Sequence, residues 1–361
     1  MPSDHRNDED LKHHHHSIPK TANWQTAGLL MIADVVGCGV MSLATAFAQL
    51  GWALALPSLL FWGLVSAYVG TMVGEANQAF PDCENFMQLA GITMGRRART
   101  WTAVCVYSFI FLCLGDYLLI LGETMEMMVN SKPAPPGEVG KIGCSKFVYT
   151  VLTALALLPF ARIRQLGKAN WLMILNSITI LFSVGFALLG LYLSTHHAHT
   201  KTEWIASQLT IFSFFHSQAL FAFSFSGAFI YLEIVSEMAN ARDFNKALFW
   251  CSVPFQCTLY TITGVLGYWL IGSGSQGLLI RQIPSHQSPL LSALYQLSAL
   301  GLFIHLIISY VVKSTILARA AHSYWFPHSA GEYATKTGDQ TFVAISCLLV
   351  LGSNGKSFGL E

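Results

Sequence analysis

Long apolar runs alternate with short polar connections along most of the chain. The apolar segments lie at about residues 24–50, 53–76, 101–128, 146–160, 169–194, 208–232, 247–272 and 290–317. A helix of about 20 residues crosses a hydrocarbon core of about 30 Å, and most of these segments are that long. A ninth stretch, 341–351, is only a stump. The pattern predicts an all-α polytopic membrane protein with about eight full spans plus the stump.

The two ends of the chain are polar. Residues 1–23 contain the run His13–His16 and no apolar core, so we expect a disordered cytoplasmic tail and not a cleaved signal peptide. Four adjacent histidines can bind a metal, but a low-complexity tail is the favoured interpretation, and we predict neither a metal site nor a cofactor. A transmembrane domain at 24–351 and a polar C-terminal tail at 352–361 complete the predicted organisation.

Basic residues are distributed unevenly between alternate connections. With the N-terminus inside, the inner segments carry 14 Lys and Arg, Lys313 among them, and the outer loops carry 5. Cytoplasmic loops of membrane proteins are enriched in these residues. The distribution predicts an integral, multi-pass membrane protein with a cytoplasmic N-terminus, and leaves open the plasma membrane or a vacuolar or other internal membrane.

The first apolar segment contains residues that a plain lipid-facing helix does not need. Two glycines flank Cys38 at Gly37 and Gly39, and Asp34 lies three residues upstream. Glycine lowers helix propensity by about 1 kcal/mol relative to alanine. Open backbone inside a membrane is tolerated only where it lines a cavity or is buried in protein. This stretch predicts a discontinuous helix around a binding site.

The sixth apolar segment repeats this feature. Ser224, Ser226 and Gly227 place small polar residues at mid-depth. Interruptions in spans one and six are typical of an inverted repeat of five plus five helices, in which the half-helix ends bind ionic groups. The alternative is that Ser and Gly here only allow close helix packing. The matching positions favour a site.

Composition narrows the class of protein. Hydrophobic residues make up 53% and charged residues 11% of the chain, far from an average soluble domain, in which about 25% is charged. No basic stripe indicates nucleic-acid binding. The cluster His196–His199 resembles one histidine box of a membrane oxygenase, but such enzymes need several boxes. We therefore expect no enzymatic activity.

Ionisable residues inside apolar spans are candidates for cation coupling, because their burial is costly. Asp34 and Asp116 are the acids nearest mid-depth. Asp34, one helical turn from Gly37, is the leading candidate for a proton-coupling group, and a structural acid bound to neighbouring hydroxyls is the alternative. His216 and His305 are also intramembrane, and for both a packing role is favoured over a proton relay.

Four stretches in order resemble a known family. IADVVGCGVMSLATAFAQLGW is similar to the first helix of the amino acid/auxin permease (transmembrane amino acid transporter) family, and FAFSFSGAFIYLEIVSEM to its sixth helix. FNKAL with LGYWL resembles the seventh helix, and HLIISY the eighth. The resemblance covers roughly residues 22–320. It implies a leucine-transporter-like fold of inverted repeats and the transport of amino acids with protons or sodium.

The resemblance also implies roles for particular residues. The backbone at Gly37, Cys38, Gly39 and Val40 would bind the substrate carboxylate. Ser224, Ser226 and Gly227 would lie beside the amino group or the side chain of the substrate. Ser309 on the eighth span would lie near the coupling cation. The resemblance implies neither a metal nor a cofactor. The expected partners of the protein are an amino acid substrate, a proton or sodium ion and the lipid bilayer.

Two departures from the family pattern affect the expectation. Ala44 replaces the proline that follows the first-helix leucine, and the last spans are missing or reduced to a stump, so we expect an incomplete second repeat. The predicted function is secondary active transport of amino acids, by alternating access at a midplane site between broken helices one and six. The alternative is a sensor or regulatory partner that binds an amino acid without transport, or an inactive fragment of a longer transporter.

Overall fold

The computed structural model describes residues 22–81, 83, 85–129, 146–159, 170–194 and 201–325. The expectations for the N-terminal tail with its histidine run, the cluster His196–His199, the stump at 341–351 and the C-terminal tail lie outside these residues. Within them the regular structure is helical, apart from one isolated parallel bridge between Ala22 and Met238. The helices are α1 (Trp24–Val35), α2 (Leu43–Leu50), α3 (Trp52–Ala79), α4 (Phe86–Met94), α5 (Arg96–Val129), α6 (Lys146–Leu157), α7 (Asn170–Leu193), α8 (Ile211–Ser224), α9 (Tyr231–Ser236), α10 (Phe244–Ala247), α11 (Val253–Ile271) and α12 (Pro289–Trp325).

Each of the eight predicted apolar segments corresponds to helix. By length and hydropathy, α3, α5, α7, α12 and the segment Ile211–Ser236 that contains α8 and α9 can each cross a membrane, and the bent segment of α1 and Cys38–Leu50 raises the number among the described residues to 6. A π-helical turn, Leu248–Ser252, joins α10 to α11. Helix α6 has 12 residues, in keeping with its short apolar segment. The chain is therefore an integral, multi-pass membrane protein.

The broken first segment occupies the middle of the bundle. Met31, Val40, Leu43 and Phe47 are each 0% exposed, and α1 and α2 pack against α7, α8 and α11. Helix α3 differs, because one of its faces exposes large apolar side chains such as Leu60 at 65%. An apolar outer face is what a lipid environment requires. The break in the first segment is therefore enclosed by other helices, away from lipid.

Contacts at the two ends of the bundle join segments that the topology places on the same side. Backbone hydrogen bonds link Ala22, before α1, to Glu237 and Ala239, after α9, and the topology predicted from the sequence places these segments on the inner side. Arg281, in the connection before α12, lies 3.2 Å from Glu123 and 3.8 Å from Glu126 near the end of α5. Both of these lie outside in that topology. Direct contacts between distant segments therefore occur at both ends of the bundle.

Candidate functional site: two facing helix breaks

The first break separates α1 from the helical segment Cys38–Leu50. Val36 and Gly37 leave helical geometry (Val36 φ −76°, ψ 89°; Gly37 φ −106°, ψ −160°), and a 3₁₀ turn, Cys38–Ser42, precedes α2. The two helical pieces differ in direction by 49°. A Cβ at Gly37 would collide with the Tyr117 hydroxyl, so this glycine allows α5 to approach the opened backbone.

The second break separates α8 from α9. Helix α8 ends at Ser224, and a 3₁₀ turn, Ala228–Ile230, leads into α9. A Cβ at Gly227 would collide with Val35, and one at Gly39 would lie 2.7 Å from the Ser224 hydroxyl. The two predicted breaks therefore lie directly against each other, with glycine at the points of closest approach.

Tyr260 of α11 connects the two breaks. Its buried hydroxyl donates towards the backbone carbonyl of Ser224 at 2.7 Å and that of Val35 at 3.2 Å. These carbonyls lie at the C-terminal ends of α8 and α1, where helices leave carbonyl groups without partners in the helix. A single side chain thus satisfies one opened end on each broken helix.

A small cavity lies between the breaks. Its volume is about 10 Å³, enough for a single water molecule. Substrate-sized molecules therefore need the broken helices to move apart. The cavity is lined by Asp34, Val35, Gly37, Gly39, Cys113, Tyr117, Phe223, Ser224, Ser226, Phe229 and Lys313.

An ion pair closes one wall of this cavity. The ammonium of Lys313, on α12, lies 2.7 Å from Asp34 Oδ1 and donates at 2.9 Å to the Asp34 backbone carbonyl. Lys313 is 3% and Asp34 2% exposed. The ammonium also lies 5.2 Å from the centre of the Tyr117 ring and 5.9 Å from that of Phe229, distances at which aromatic faces attract a cation.

Polar side chains from α7 and α12 bind the carbonyl one residue earlier. Asn176 Nδ2 donates to the Ala33 carbonyl at 2.8 Å, and the Ser309 hydroxyl lies 3.4 Å from the same oxygen. Asn176 also donates to Ser309 at 3.1 Å, and His305 Nδ1 donates to the Asn176 carbonyl at 3.0 Å. The C-terminal carbonyls of α1 are therefore bound by side chains of distant helices.

The structure brings together most of the predicted site residues. Gly37, Gly39, Ser224 and Ser226 line the cavity, and so does Asp34. Ser309 lies outside this lining, with its hydroxyl 3.4 Å from the Ala33 carbonyl beside the first break. The remaining three predicted binding residues, Cys38, Val40 and Gly227, are not part of the lining.

Those three residues have other contacts. The Cys38 thiol lies 3.3 Å from Asp116 Oδ2. Asp116, the second acid that the sequence places near mid-depth, therefore contacts Cys38. Val40 is fully buried in the core, and Gly227 packs on Val35. The side chains of Cys38 and Val40 therefore point away from the cavity, and only the backbone of these three residues could contribute to a site.

Three residues at the breaks, Lys313, Asn176 and Tyr260, are not predicted from the sequence. The position of Lys313 near the end of its apolar run predicts an inner segment, whereas the structure buries it in α12 beside the first break. That assignment is wrong, and it reduces the inner basic residues from 14 to 13. Its spacing was informative, since His305, Ser309 and Lys313 recur every four residues and share one face of a helix.

The two intramembrane histidines have different surroundings. His305 is 0% exposed and hydrogen-bonded within the network beside the first break. His216, on α8, is exposed, and its Nδ1 lies 2.9 Å from the Gln49 side-chain oxygen. Only His305 therefore lies near the predicted site. No group of three or more His, Cys, Asp or Glu suited to a metal ion occurs in the described part of the chain.

Known proteins share both the sequence pattern and the fold. The family described as "Transmembrane amino acid transporter protein" matches residues 20–355. The chain belongs to this family. Among curated relatives from Arabidopsis thaliana, "Amino acid transporter AVT1C" is 22% identical over 77% of this chain and 50% of the relative. "Amino acid permease 1" is 24% identical over 72% of this chain and 57% of the relative.

Members of the transmembrane amino acid transporter family that match here are longer than this chain, which spans about half the length of the first relatives. A solved structure titled "Crystal structure of MhsT in complex with L-phenylalanine" matches with a TM-score of 0.68, 14% identity, and coverage of 94% of this chain and 81% of that one. At this identity the likeness concerns the fold. It confirms the predicted leucine-transporter-like helical bundle.

Proposed function

We propose that the protein is a secondary active transporter of amino acids that binds its substrate between the two helix breaks and is driven by a cation gradient. The observation that carries the proposal is the pair of facing breaks around one enclosed cavity, in a chain of the transmembrane amino acid transporter family. Interrupted helices at mid-membrane are the usual place for substrate and coupling ions in such folds.

The substrate carboxylate would bind at the start of the segment Cys38–Leu50. The first amides of a helix have no partner within it and carry partial positive charge. Gly37 and Gly39 lie at this end and line the cavity. Because glycine has no side chain, a carboxylate can approach the backbone amides there.

The substrate amino group would bind on the side of the second break. The hydroxyls of Ser224 and Ser226 donate to the carbonyls of Leu220 and Phe223 at 2.8 and 2.7 Å. Their protons are therefore engaged and their lone pairs are free to accept from an ammonium. The rings of Phe223 and Phe229 lie beside them in the cavity wall and would contact an apolar substrate side chain.

Transport would require the cavity to open towards each side in turn. The backbone contacts of Ala22 with Glu237 and Ala239 close one end, and the ion pairs of Arg281 close the other. With the N-terminus cytoplasmic, the first is the inner and the second the outer closure. Alternating access then consists of releasing one set of contacts while the other holds.

Uptake into proteoliposomes tests the proposal. Purified protein would be reconstituted and supplied with a labelled amino-acid mixture, with and without an inward proton or sodium gradient. We expect accumulation that collapses with the gradient and is lost in Gly39→Val, whose side chain would meet Ser224. Saturable binding without accumulation by folded protein would contradict transport and support the sensor.

A further inference from the structure

The ion pair of Asp34 and Lys313 places a positive charge at the opened end of α1. The Lys313 ammonium lies 2.9 Å from the Asp34 carbonyl and 2.7 Å from its carboxylate. In folds of this kind, carbonyls freed at a break coordinate a free coupling cation. Here a cation that belongs to the chain contacts such a carbonyl.

We propose that the Lys313 ammonium replaces a free metal cation at the first break, and that the coupling ion is a proton received by Asp34. The first half of the inference concerns cation binding and stands by itself. The second half rests on the proposed transport function, because it names the ion that drives it.

The neighbouring oxygen atoms support the first half. A metal cation needs several oxygens at once, but the Ala33 carbonyl already accepts from Asn176 and the Val35 carbonyl accepts from Tyr260. An added metal ion would also lie close to the Lys313 ammonium, and like charges repel strongly where water is excluded. Lys313 therefore leaves no favourable place for sodium.

The Asp34 carboxylate supports the second half. Its Oδ1 binds Lys313, whereas its Oδ2 is buried and has no hydrogen-bond partner among the described protein groups. A proton that binds Oδ2 forms an O–H bond and converts the carboxylate to a neutral acid. The pair then changes from net neutral to a charge of +1.

Protonation of Asp34 would change the electrostatic potential at the proposed substrate site. The acid loses its ionic attraction to Lys313, whose ammonium keeps the Asp34 carbonyl and the rings of Tyr117 and Phe229 as neighbours. Asp34 and Lys313 line the same cavity as Gly37 and Ser224, so proton binding changes the charge of the cavity wall. The other titratable groups that interact with the pair are Cys38, Cys113, Tyr117, Tyr231, Tyr260 and His305, and Asp116 contacts Cys38.

The first experiment measures sodium binding as thermal stabilisation, which requires no transport. Wild type, Lys313→Ala and the control Lys246→Ala would be melted in detergent at equal ionic strength, in sodium or in choline salt. Lys246 is exposed and pairs with Asp243. We expect no sodium effect for wild type or control. Removal of the ammonium opens an anionic cavity, so Lys313→Ala should melt at least about 3 °C higher in sodium.

Either of two results would overturn the cation replacement. One is stabilisation of wild type by sodium. The other is a well-folded Lys313→Ala protein whose melting temperature is the same in sodium and in choline salt. If Lys313→Ala does not fold, Lys313→Gln with Asp34 retained takes its place, because it keeps a polar group beside the carboxylate while removing the charge.

The second experiment separates proton coupling from transport itself. Accumulation is compared with the exchange of labelled for unlabelled amino acid by the same variant. In Asp34→Asn/Lys313→Met, which lacks both charges of the pair, we expect the ratio of proton-driven accumulation to exchange to fall at least tenfold. Retained proton-driven accumulation would overturn Asp34 as the proton acceptor. If wild type neither exchanges nor accumulates substrate, the proposed transport fails, and the sodium measurement still decides the role of Lys313.

Discussion

The two helix breaks look alike in sequence but are held in different ways. At the first, the carbonyls of Ala33 and Asp34 accept from side chains of α7 and α12. At the second, the backbone mostly satisfies itself. The Ser226 amide donates to the Phe223 carbonyl and the Gly227 amide to the Phe225 carbonyl.

This difference shows which break is held to the rest of the bundle by a charged side chain. Moving α1 relative to α12 would separate a buried ion pair and strip donors from opened carbonyls, at a high cost in the low-dielectric interior. Moving α8 relative to its neighbours would break hydrogen bonds between side chains or backbone groups that form no ion pair. These are the bond from Tyr260 to the Ser224 carbonyl and the bonds of Ser217 and Gln218 to Gln49, Ser58 and Trp62. We infer that the first break responds to charge and the second to packing.

Breaking the ion pair at the first break should have the largest effect. Lys313→Met leaves the Asp34 carboxylate buried and unpaired, so we expect a loss of about 3–5 kcal/mol of unfolding free energy. Asp34→Asn/Lys313→Met should lose less than half as much, because neither charge remains. Thermal or denaturant unfolding of the purified variants in detergent measures both, and equal losses in single and double variants would contradict a pair of mutually compensating charges.

Overpacking the contact between the breaks should come second. A Cβ at Gly227 would collide with Val35, and overpacking of this kind costs about 1–3 kcal/mol. We expect Gly227→Ala to reduce thermal stability and amino-acid uptake, and Val35→Ala to restore part of both. Gly185→Ala is the matched control, since Gly185 is helical and open around its Cβ position, and should be neutral or slightly stabilising.

Should Gly227→Ala behave like Gly185→Ala, the contact between the breaks would be loose in the membrane. The inference that the second break responds to packing would then be wrong. A deficit that Val35→Ala fails to relieve would point instead to strain elsewhere in the second break.

Much of the fold was readable from the sequence because burial in lipid imposes simple patterns. Apolar length gave the helical segments, and Gly37-Cys38-Gly39 with Ser226-Gly227 gave both breaks, since glycine weakens a helix wherever it occurs. That these two breaks touch depends on a contact between residues far apart in the chain, such as Gly39 with Ser224. Only the family pattern carried that information.

The partners of the breaks were less predictable. Lys313 lies close enough to the end of its apolar run to be read as a loop residue. Its spacing from His305 and Ser309 places it on their helix face, but the spacing does not identify Asp34 as its partner. Tyr260 resembles any other aromatic residue of a membrane helix, because its role comes from the two carbonyls that its hydroxyl reaches. Such roles depend on how helices are rotated, which hydrophobicity alone does not fix.

Removing the hydroxyl that connects the breaks should have a moderate effect. Tyr260→Phe removes the donor of the Ser224 carbonyl, whereas the Val35 carbonyl still accepts from the Gly37 amide at 2.9 Å. A buried group left unsatisfied costs about 1–3 kcal/mol. We expect lower thermal stability together with a changed rate of uptake, because the variant uncouples the two breaks. Tyr68→Phe, at a residue 65% exposed on the outer face of α3, should change neither quantity. Full uptake with lower stability would leave Tyr260 a purely structural role.

An exposed ion pair should have the smallest effect and thereby show that burial gives the first break its importance. Lys246 Nζ, on α10, lies 2.8 Å from Asp243 Oδ1 in the connection before that helix, and the Lys246 side chain is 62% exposed. The hydrogen bond from Lys246 lowers the pKa of the Asp243 carboxyl below its ordinary value of 3.8. Because the folded pKa is the lower one, any stabilisation exists above about pH 4 and disappears as the pH falls further.

Water screens such a pair, so Asp243→Asn should melt like wild type at neutral pH, in contrast to Lys313→Met. A loss comparable to that of Lys313→Met would mean that charge pairing matters in this protein irrespective of burial, and the distinction drawn for the first break would fail.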